Sequence, residues 1–239
     1  DVYKRQPFLF KVIDVREMLS IQVHPTKSEA EVGFARENEM RIPLDSEERN
    51  YKDDNHKPEL EVALSDFWLL SGFRPKDQLQ EVLNSVPEFH TLKPIFASKG
   101  YFGLYKYVME MPQESVNSLL NTLVERILQK YTSGNLEEYS PDYWTAKALE
   151  GKQVKDYDKG IFSIYFLNLV RVKPDQATFQ GAGIPHAYLQ GQCVEIMANS
   201  DNVIRGGLTP KHVDVPQLLK LIKFEGIIPE IIEGRQRDN

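Results

Sequence analysis

One cysteine, Cys193, is present among 239 residues. A single thiol closes no intrachain disulfide and builds no cysteine-based zinc ribbon, so any metal held by this chain must draw on His, Glu, Asp or Gln. No apolar run approaches the ~20 residues of a membrane-spanning helix, and no charged-then-apolar leader opens the chain. Lys and Arg form no block against a net charge of −6, which argues against a nucleic-acid or membrane-surface partner. There is no GxGxxG, no P-loop and no βαβ alternation, and this weighs against a nucleotide-dependent enzyme. No repeat of fixed period and no low-complexity tract interrupts the pattern. What is present is ordinary for a globular protein: 41% hydrophobic and 27% charged residues, in a length that makes one large domain or two small ones. A cytoplasmic protein is the expectation, with its oligomeric state left open.

The ends read differently from the body. Asp1–Gln6 (DVYKRQ) resembles translated sequencing-adaptor DNA and is set aside as a sequence artefact. The chain stops at GRQRDN in mid-pattern, so a fragment is expected.

Residues 8–24 carry two short strand patterns, FLFKVIDV and LSIQV. Residues 26–56 are polar, with a short surface helix first and loop after. Residues 59–70 (ELEVALSDFWLL) are rich in strand formers, with a turn at Ser65–Asp66, and Gly72 and Pro75 close them. A helix is predicted from Lys76 to Asn84. Val116, Leu119, Leu120, Leu123, Val124, Ile127 and Leu128 then recur at helical spacing, which predicts an amphipathic helix packed on a core. From Phe166 the strands return as FLNLVRV, the turn KPDQ, ATFQGAG, HAYL, a turn at QGQ, and CVEIMANS. The expected fold is mainly β with a helical insertion, a small sandwich or barrel plus an α-helical domain. The domain boundaries are residues 7–75, 76–158 and 159–239.

Four segments carry chemistry. In LSIQVHPTK, alternation puts Ser20, Gln22 and His24 on one face, with Leu19, Ile21 and Val23 turned into apolar packing. In NHKPE, the residue before proline is extended, so Lys57 and Glu59 share a face and His56 points away. In GAGIPHAYLQGQCVEIMANS, a histidine enters a strand after a Gly/Pro-rich turn, an arrangement similar to cupin sandwiches, whose metal ligands point inward from neighbouring strands. There His186 shares a face with Tyr188, and Glu195 with Met197 and Asn199. In SDNVIRGGLTPK, Arg205 precedes two glycines that allow close backbone approach, a good place for an anion or oxyanion group. Simpler roles stand beside these: Tyr188 and Trp68 as core, Cys193 as a small buried residue, Asp201–Asn202 as an Asx turn.

Together these segments resemble type I phosphomannose isomerase, a zinc-dependent cupin family, over nearly all of residues 7–239. HAYLQGQCVEIMANSDNVIRGGLTPK carries most of the resemblance, and QVHP and NYKDDNHKPE add independent support. The resemblance implies a cupin jelly-roll that holds one zinc per chain through Gln22, His24, Glu59 and His186. It makes Arg205 the catalytic arginine and places Lys57, Glu195 and Lys211 in the active site. It implies a hexose 6-phosphate substrate, D-mannose 6-phosphate interconverted with D-fructose 6-phosphate. Family members carry further sequence before the PFLFKV strand and a C-terminal cupin portion beyond residue 239, and this sequence shows neither.

The residues suit that chemistry. Two neutral imidazoles, one carboxylate and an amide oxygen sum to a ligand charge of −1, which leaves a divalent zinc strongly Lewis-acidic. Aldose–ketose isomerisation needs a base, a proton shuttle and positive charge beside a developing enediolate. Lys57, Glu195 and a metal-bound water all qualify as the base. Ser20, Lys57 and Lys211 are candidates to hold the phosphate, and Tyr188 to contact the substrate. A non-catalytic cupin that binds a sugar phosphate or a metal is the alternative. A third possibility, a cupin oxygenase with two His and one carboxylate on iron, accommodates Gln22 less well.

Overall fold

The computed structural model describes residues 6–235, so the first five residues of the set-aside Asp1–Gln6 stretch lie outside the description. In chain order the first elements are β1 (Phe8–Val15), β2 (Ile21–Val23), α1 (Lys27–Glu39), β3 (Glu59–Ala63) and β4 (Phe67–Phe73). Five α-helices follow: α2 (Lys76–Ser85), α3 (Lys93–Glu110), α4 (Gln113–Thr132), α5 (Pro141–Leu149) and α6 (Gly160–Phe166), with a 3₁₀ turn at Pro87–Leu92 between α2 and α3. The chain then returns to strands with β5 (Leu167–Val172), β6 (Gln176–Gln180), β7 (His186–Ala198) and β8 (Ile204–Gly207), and ends with α7 (Val215–Leu221) and β9 (Ile232–Glu233). Two compact units result. One holds the described residues up to Ser71, Val170–Lys223 and those from Pro229; the other holds Gly72–Leu169 and Phe224–Ile228.

In the strand unit, β7 is the organising element. It pairs antiparallel with β1, β3, β4 and β2. The turn expected at QGQ is absent: β7 runs unbroken for 13 residues through Gln190, Gly191 and Gln192. Gly191 explains why. It sits at φ 112°, and a Cβ there would lie 2.3 Å from the carbonyl oxygen of Asp66. Glycine lets β7 pass close to the β3–β4 turn and bend without reversing. That turn, at Ser65–Asp66 as expected, is tied down by Leu64 N–H donating to Gln192 O at 2.8 Å and Gln192 N–H to Ser65 Oγ at 2.9 Å. Around this passage Val15, Ala63, Phe67, Leu69, Val172, Tyr188 and Cys193 form a buried cluster. Burial pushes the Cys193 thiol up to about 12, so it is an inert core residue.

α1 is the expected surface helix, opened by a capping box between Thr26 and Glu29. Its buried Glu37 accepts the backbone N–H of Tyr51 at 2.9 Å and pairs with Arg49 Nε at 3.2 Å. The helix thereby anchors the start of the YKDDN loop. In the helical unit, α4 buries Val116, Leu120, Leu123, Val124 and Ile127, with Leu119 and Leu128 half-buried, as the ladder requires. Phe89 packs on Phe162, Tyr165 and Phe166. No helix among the described residues is long and apolar enough to cross a membrane.

Candidate metal centre

Strand register assembles the centre. Gln22 on β2 pairs with His186 on β7 at one side and with Arg205 on β8 at the other. His24 lies just past the end of β2, and its carbonyl accepts the N–H of Gly183 at 2.9 Å, which clamps the GAG turn against the strand end. Glu59 opens β3, and Lys57 precedes it on the same face. Ile21 and Val23 are fully buried, as the alternation in LSIQVHP requires, and His24 is fully buried too, while Leu19 faces solvent at 39% exposure instead of packing inward. Its position lies before β2 begins, where alternation no longer binds it to the strand's buried face.

Glu59 stands between the two histidines. Its Oε1 is 3.4 Å from His24 Nε2 and its Oε2 is 3.2 Å from His186 Nε2. The rings lie 5.1 Å apart, centroid to centroid. Each Nδ1 is engaged elsewhere: His24 Nδ1 meets Asn202 O at 2.8 Å, and His186 Nδ1 meets Ile184 O at 2.9 Å. A carbonyl can only accept, so each Nδ1 carries a proton and each ring turns its Nε2 toward Glu59; in the neutral ring that Nε2 is a lone pair open to a cation. His24 Nε2 is fully buried and has no hydrogen-bond partner. An orphaned buried nitrogen is costly unless something with positive charge occupies the space it faces. The ligand atoms of His24, Glu59 and His186 lie within 4.8 Å of one another, a spread that a divalent cation can gather. The three residues fit a metal ion.

The electrostatics agree. Burial alone would raise the Glu59 carboxyl, but the two histidines beside it hold it well below the usual carboxylate range. Burial pulls His24 down. It pulls His186 the same way, yet the neighbouring Glu59 carboxylate outweighs it and draws His186 up. Lys57, buried, sets its Nζ 3.3 Å from Glu59 Oε1.

A second group adjoins the first. Glu59, Glu61 and Glu195 also bring ligand oxygens within 4.8 Å of one another. The Tyr188 hydroxyl lies 2.8 Å from Glu61 Oε1 and 2.7 Å from Glu195 Oε1. One hydroxyl proton cannot serve both carboxylates. Burial, and then the charge of Glu59, push Glu61 up to about 8, so Glu61 is the carboxyl that gains a proton as pH falls, and in that form it can donate to the phenol oxygen. Tyr188 then donates to Glu195, whose Oε2 has Lys11 Nζ at 3.6 Å.

The expected residues divide accordingly. The structure brings together His24, Glu59, His186 and Lys57, and joins Tyr188 to Glu195. Gln22 and Arg205 flank them in register; Arg205 is half-buried and its side chain makes no hydrogen bond or ion pair among the described residues. Ser20 is half-buried, while Lys211 is exposed and makes no side-chain contact with the group among the described residues. His56 is exposed. Trp68 and Cys193 are core. Two members of the group, Lys11 and Glu61, were not anticipated. Glu61 shares the parity of Glu59 and could have been grouped with it on that signal, whereas Lys11 joins the group only through the β1–β7 register.

Asn202 does more than make an Asx turn. Its Oδ1 accepts the N–H of Lys52 at 2.7 Å and of Asp53 at 3.2 Å, and its Nδ2 donates to Asp53 O at 2.9 Å, Asp53 Oδ1 at 3.1 Å and Asn55 O at 2.8 Å.

Comparison with known proteins points one way. Residues 2–76 match the model of the type I phosphomannose isomerase catalytic domain. Mannose-6-phosphate isomerase of Escherichia coli (strain K12) is 43% identical over 222 residues, covering 92% of this chain and 54% of the relative. The human enzyme of the same name is 39% identical over 235 residues, covering 91% and 52%. The chain thus spans about half the length of the curated relatives it matches. Among solved structures, mannose 6-phosphate isomerase from Salmonella typhimurium bound to its substrate fructose 6-phosphate and zinc superposes with a TM-score of 0.79 at 39% identity, covering 92% of this chain and 55% of that one. By sequence and by fold, the chain is similar to the type I phosphomannose isomerases over 91–92% of its length.

Proposed function

We propose that this chain carries the catalytic centre of a zinc-dependent isomerase that interconverts D-mannose 6-phosphate and D-fructose 6-phosphate. The observation that carries the reading is the pair of buried histidines, both held as Nδ1–H tautomers, with the free Nε2 atoms turned on one ionised glutamate. The relative from Salmonella typhimurium, solved with fructose 6-phosphate and zinc, supports it. His24, Glu59 and His186 would hold the metal, with Gln22 as the fourth ligand, one zinc per chain. Bound there, zinc supplies Lewis acidity for the carbonyl and hydroxyl oxygens of the sugar.

The remaining roles fall to the chain's own side chains. Arg205, cationic and free of a competing carboxylate among the described residues, stabilises the negative charge that develops as the C2 proton leaves. Lys57 and Glu195 are the groups placed to move that proton between carbons. Glu195 accepts the Tyr188 hydroxyl and has Lys11 beside it, and Lys57 is kept close by Glu59. Ser20, Lys211 and Tyr188 are assigned to the substrate, with the two former offering a hydroxyl and an ammonium to its phosphate. A cytoplasmic location accompanies this reading.

The test is zinc content and mannose 6-phosphate isomerase activity on one purified sample, with and without chelator. One zinc per chain and chelator-sensitive turnover are expected, and His24→Ala should abolish both. Turnover that survives complete metal removal overturns the proposal. Zinc and hexose phosphate binding without turnover would favour a non-catalytic cupin instead.

A further inference from the structure

His24 and His186 are oriented by different means. His186 leans on the carbonyl of Ile184, two residues away on its own segment. His24 leans on the carbonyl of Asn202, 178 residues distant in the chain. The position of that carbonyl is therefore decided by whatever fixes Asn202.

Asn202 is fully buried, and all of its side-chain amide is used. Two backbone N–H groups donate to Oδ1, and Nδ2 faces three oxygens, Asp53 O, Asp53 Oδ1 and Asn55 O. The Asp53 carboxylate gathers the rest of the segment. Its Oδ1 also accepts from Asn55 N–H at 2.9 Å and Ser200 Oγ at 2.8 Å, and its Oδ2 from Asp201 N–H at 2.8 Å. Asn55 Nδ2 closes the knot on Asn199 O at 3.1 Å. The knot joins the YKDDN loop to the NSDN segment. From it the chain runs forward to Lys57 and Glu59 on one side and to Arg205 on the other.

We infer that Asn202 is a positioning residue for the metal centre: locked to Asp53, it aims its main-chain carbonyl at His24 Nδ1 and so fixes both the tautomer and the direction of the Nε2 lone pair. The inference rests on His24 being a metal ligand and deepens that reading. Outer partners of ligating histidines raise ligand basicity and restrict the ring, and their loss costs roughly 10–100-fold in metal affinity. An amide is required at 202, because one edge must accept and the other donate. Asn202→Asp keeps the shape and the accepting edge, but sets a carboxylate oxygen against Asp53 O, Asp53 Oδ1 and Asn55 O.

Zinc affinity of the whole 239-residue chain, measured by competition with a chromophoric chelator, tests this directly. Asn202→Asp should bind zinc roughly 10–100-fold more weakly than wild type while remaining folded by circular dichroism. Wild-type affinity in the folded variant overturns the inference. A second measurement needs no variant. Imidazole ¹⁵N NMR of the metal-free wild-type chain, assigned with His24→Ala, should show His24 protonated at Nδ1 with slow exchange, and an Nε2–H tautomer there overturns the inference too. The two readings separate cleanly. A wild-type chain that binds no zinc removes the metal-centre reading itself. A chain that binds zinc through His24, with an affinity indifferent to Asn202→Asp, removes this inference alone.

Discussion

The helical unit and the strand unit bury opposite kinds of chemistry. The inward stripe of α4 is Val116, Leu120, Leu123, Val124 and Ile127, every one aliphatic and nearly fully buried. The inward face of β3 is Glu59, Glu61 and Ala63, with both carboxyls nearly fully buried. Apolar burial is favourable by itself. Buried carboxylates are favourable only with partners, a proton or a cation. The helical unit should therefore have a stability set mainly by its packing. That of the strand unit should depend on pH and on metal.

The largest effect separating the two is a cavity in the helical stripe. Leu123→Ala removes a fully buried side chain and should cost about 2–5 kcal/mol. Chemical denaturation with and without chelator reads it. The loss should be the same in both conditions, and a loss that changes with chelator would break the contrast between the units.

This contrast also explains what the sequence made legible. The α4 ladder is a periodic signal, and helical geometry converts it into burial without knowledge of any other segment. Gln22 and His24, and Lys57 and Glu59, were grouped by parity, which is equally local. In ELEVA the same local rule points the wrong way. Alternation would turn Leu60 and Val62 inward and the glutamates to water, yet Glu59 and Glu61 are buried and Leu60 and Val62 half-buried. The opposing walls decide the matter: His24, His186 and Tyr188 face the glutamates, and none of them is near in sequence. The QGQ reversal failed for the same reason, since what holds Gly191 in β7 is the backbone of Asp66. Lys11 reaches Glu195 through register alone, 184 positions apart. Local rules read elements, and they break where function has put charge inside.

A smaller effect sharpens the polar side. In metal-free chain, Glu61 has its carboxyl pushed up to about 8 from an ordinary 4.5, chiefly by burial. A raised folded pKa means the protonated form is favoured by folding. The associated stability is full below about pH 4.5 and is lost as pH rises through about 8. Glu61→Gln mimics the protonated acid and cannot ionise. With chelator present, it should stay close to wild type near pH 5 and become steadily more stable than wild type as pH rises through about 8. Denaturation midpoints across that range measure it, and parallel curves for the two proteins would mean that Glu61 is ionised in the fold.

Between the extremes lies the helical unit's own charged cluster. Arg126 forks onto Glu88, with Nε 3.1 Å from Oε1 and Nη2 2.9 Å from Oε2, and its Nη1 lies 3.5 Å from Asp142 Oδ2. Its side chain is 31% exposed, so water already screens much of this attraction. Arg126→Lys keeps the charge and loses the fork, which should cost roughly 0.2–1 kcal/mol. Raising the salt to about 1 M shortens the screening length to about 3 Å, and the difference between variant and wild type should then shrink toward zero. A loss above about 2 kcal/mol that ignores salt would show the arginine acting through its packed stem, and the cluster would belong with the aliphatic stripe of α4 and not with the buried charges of β3.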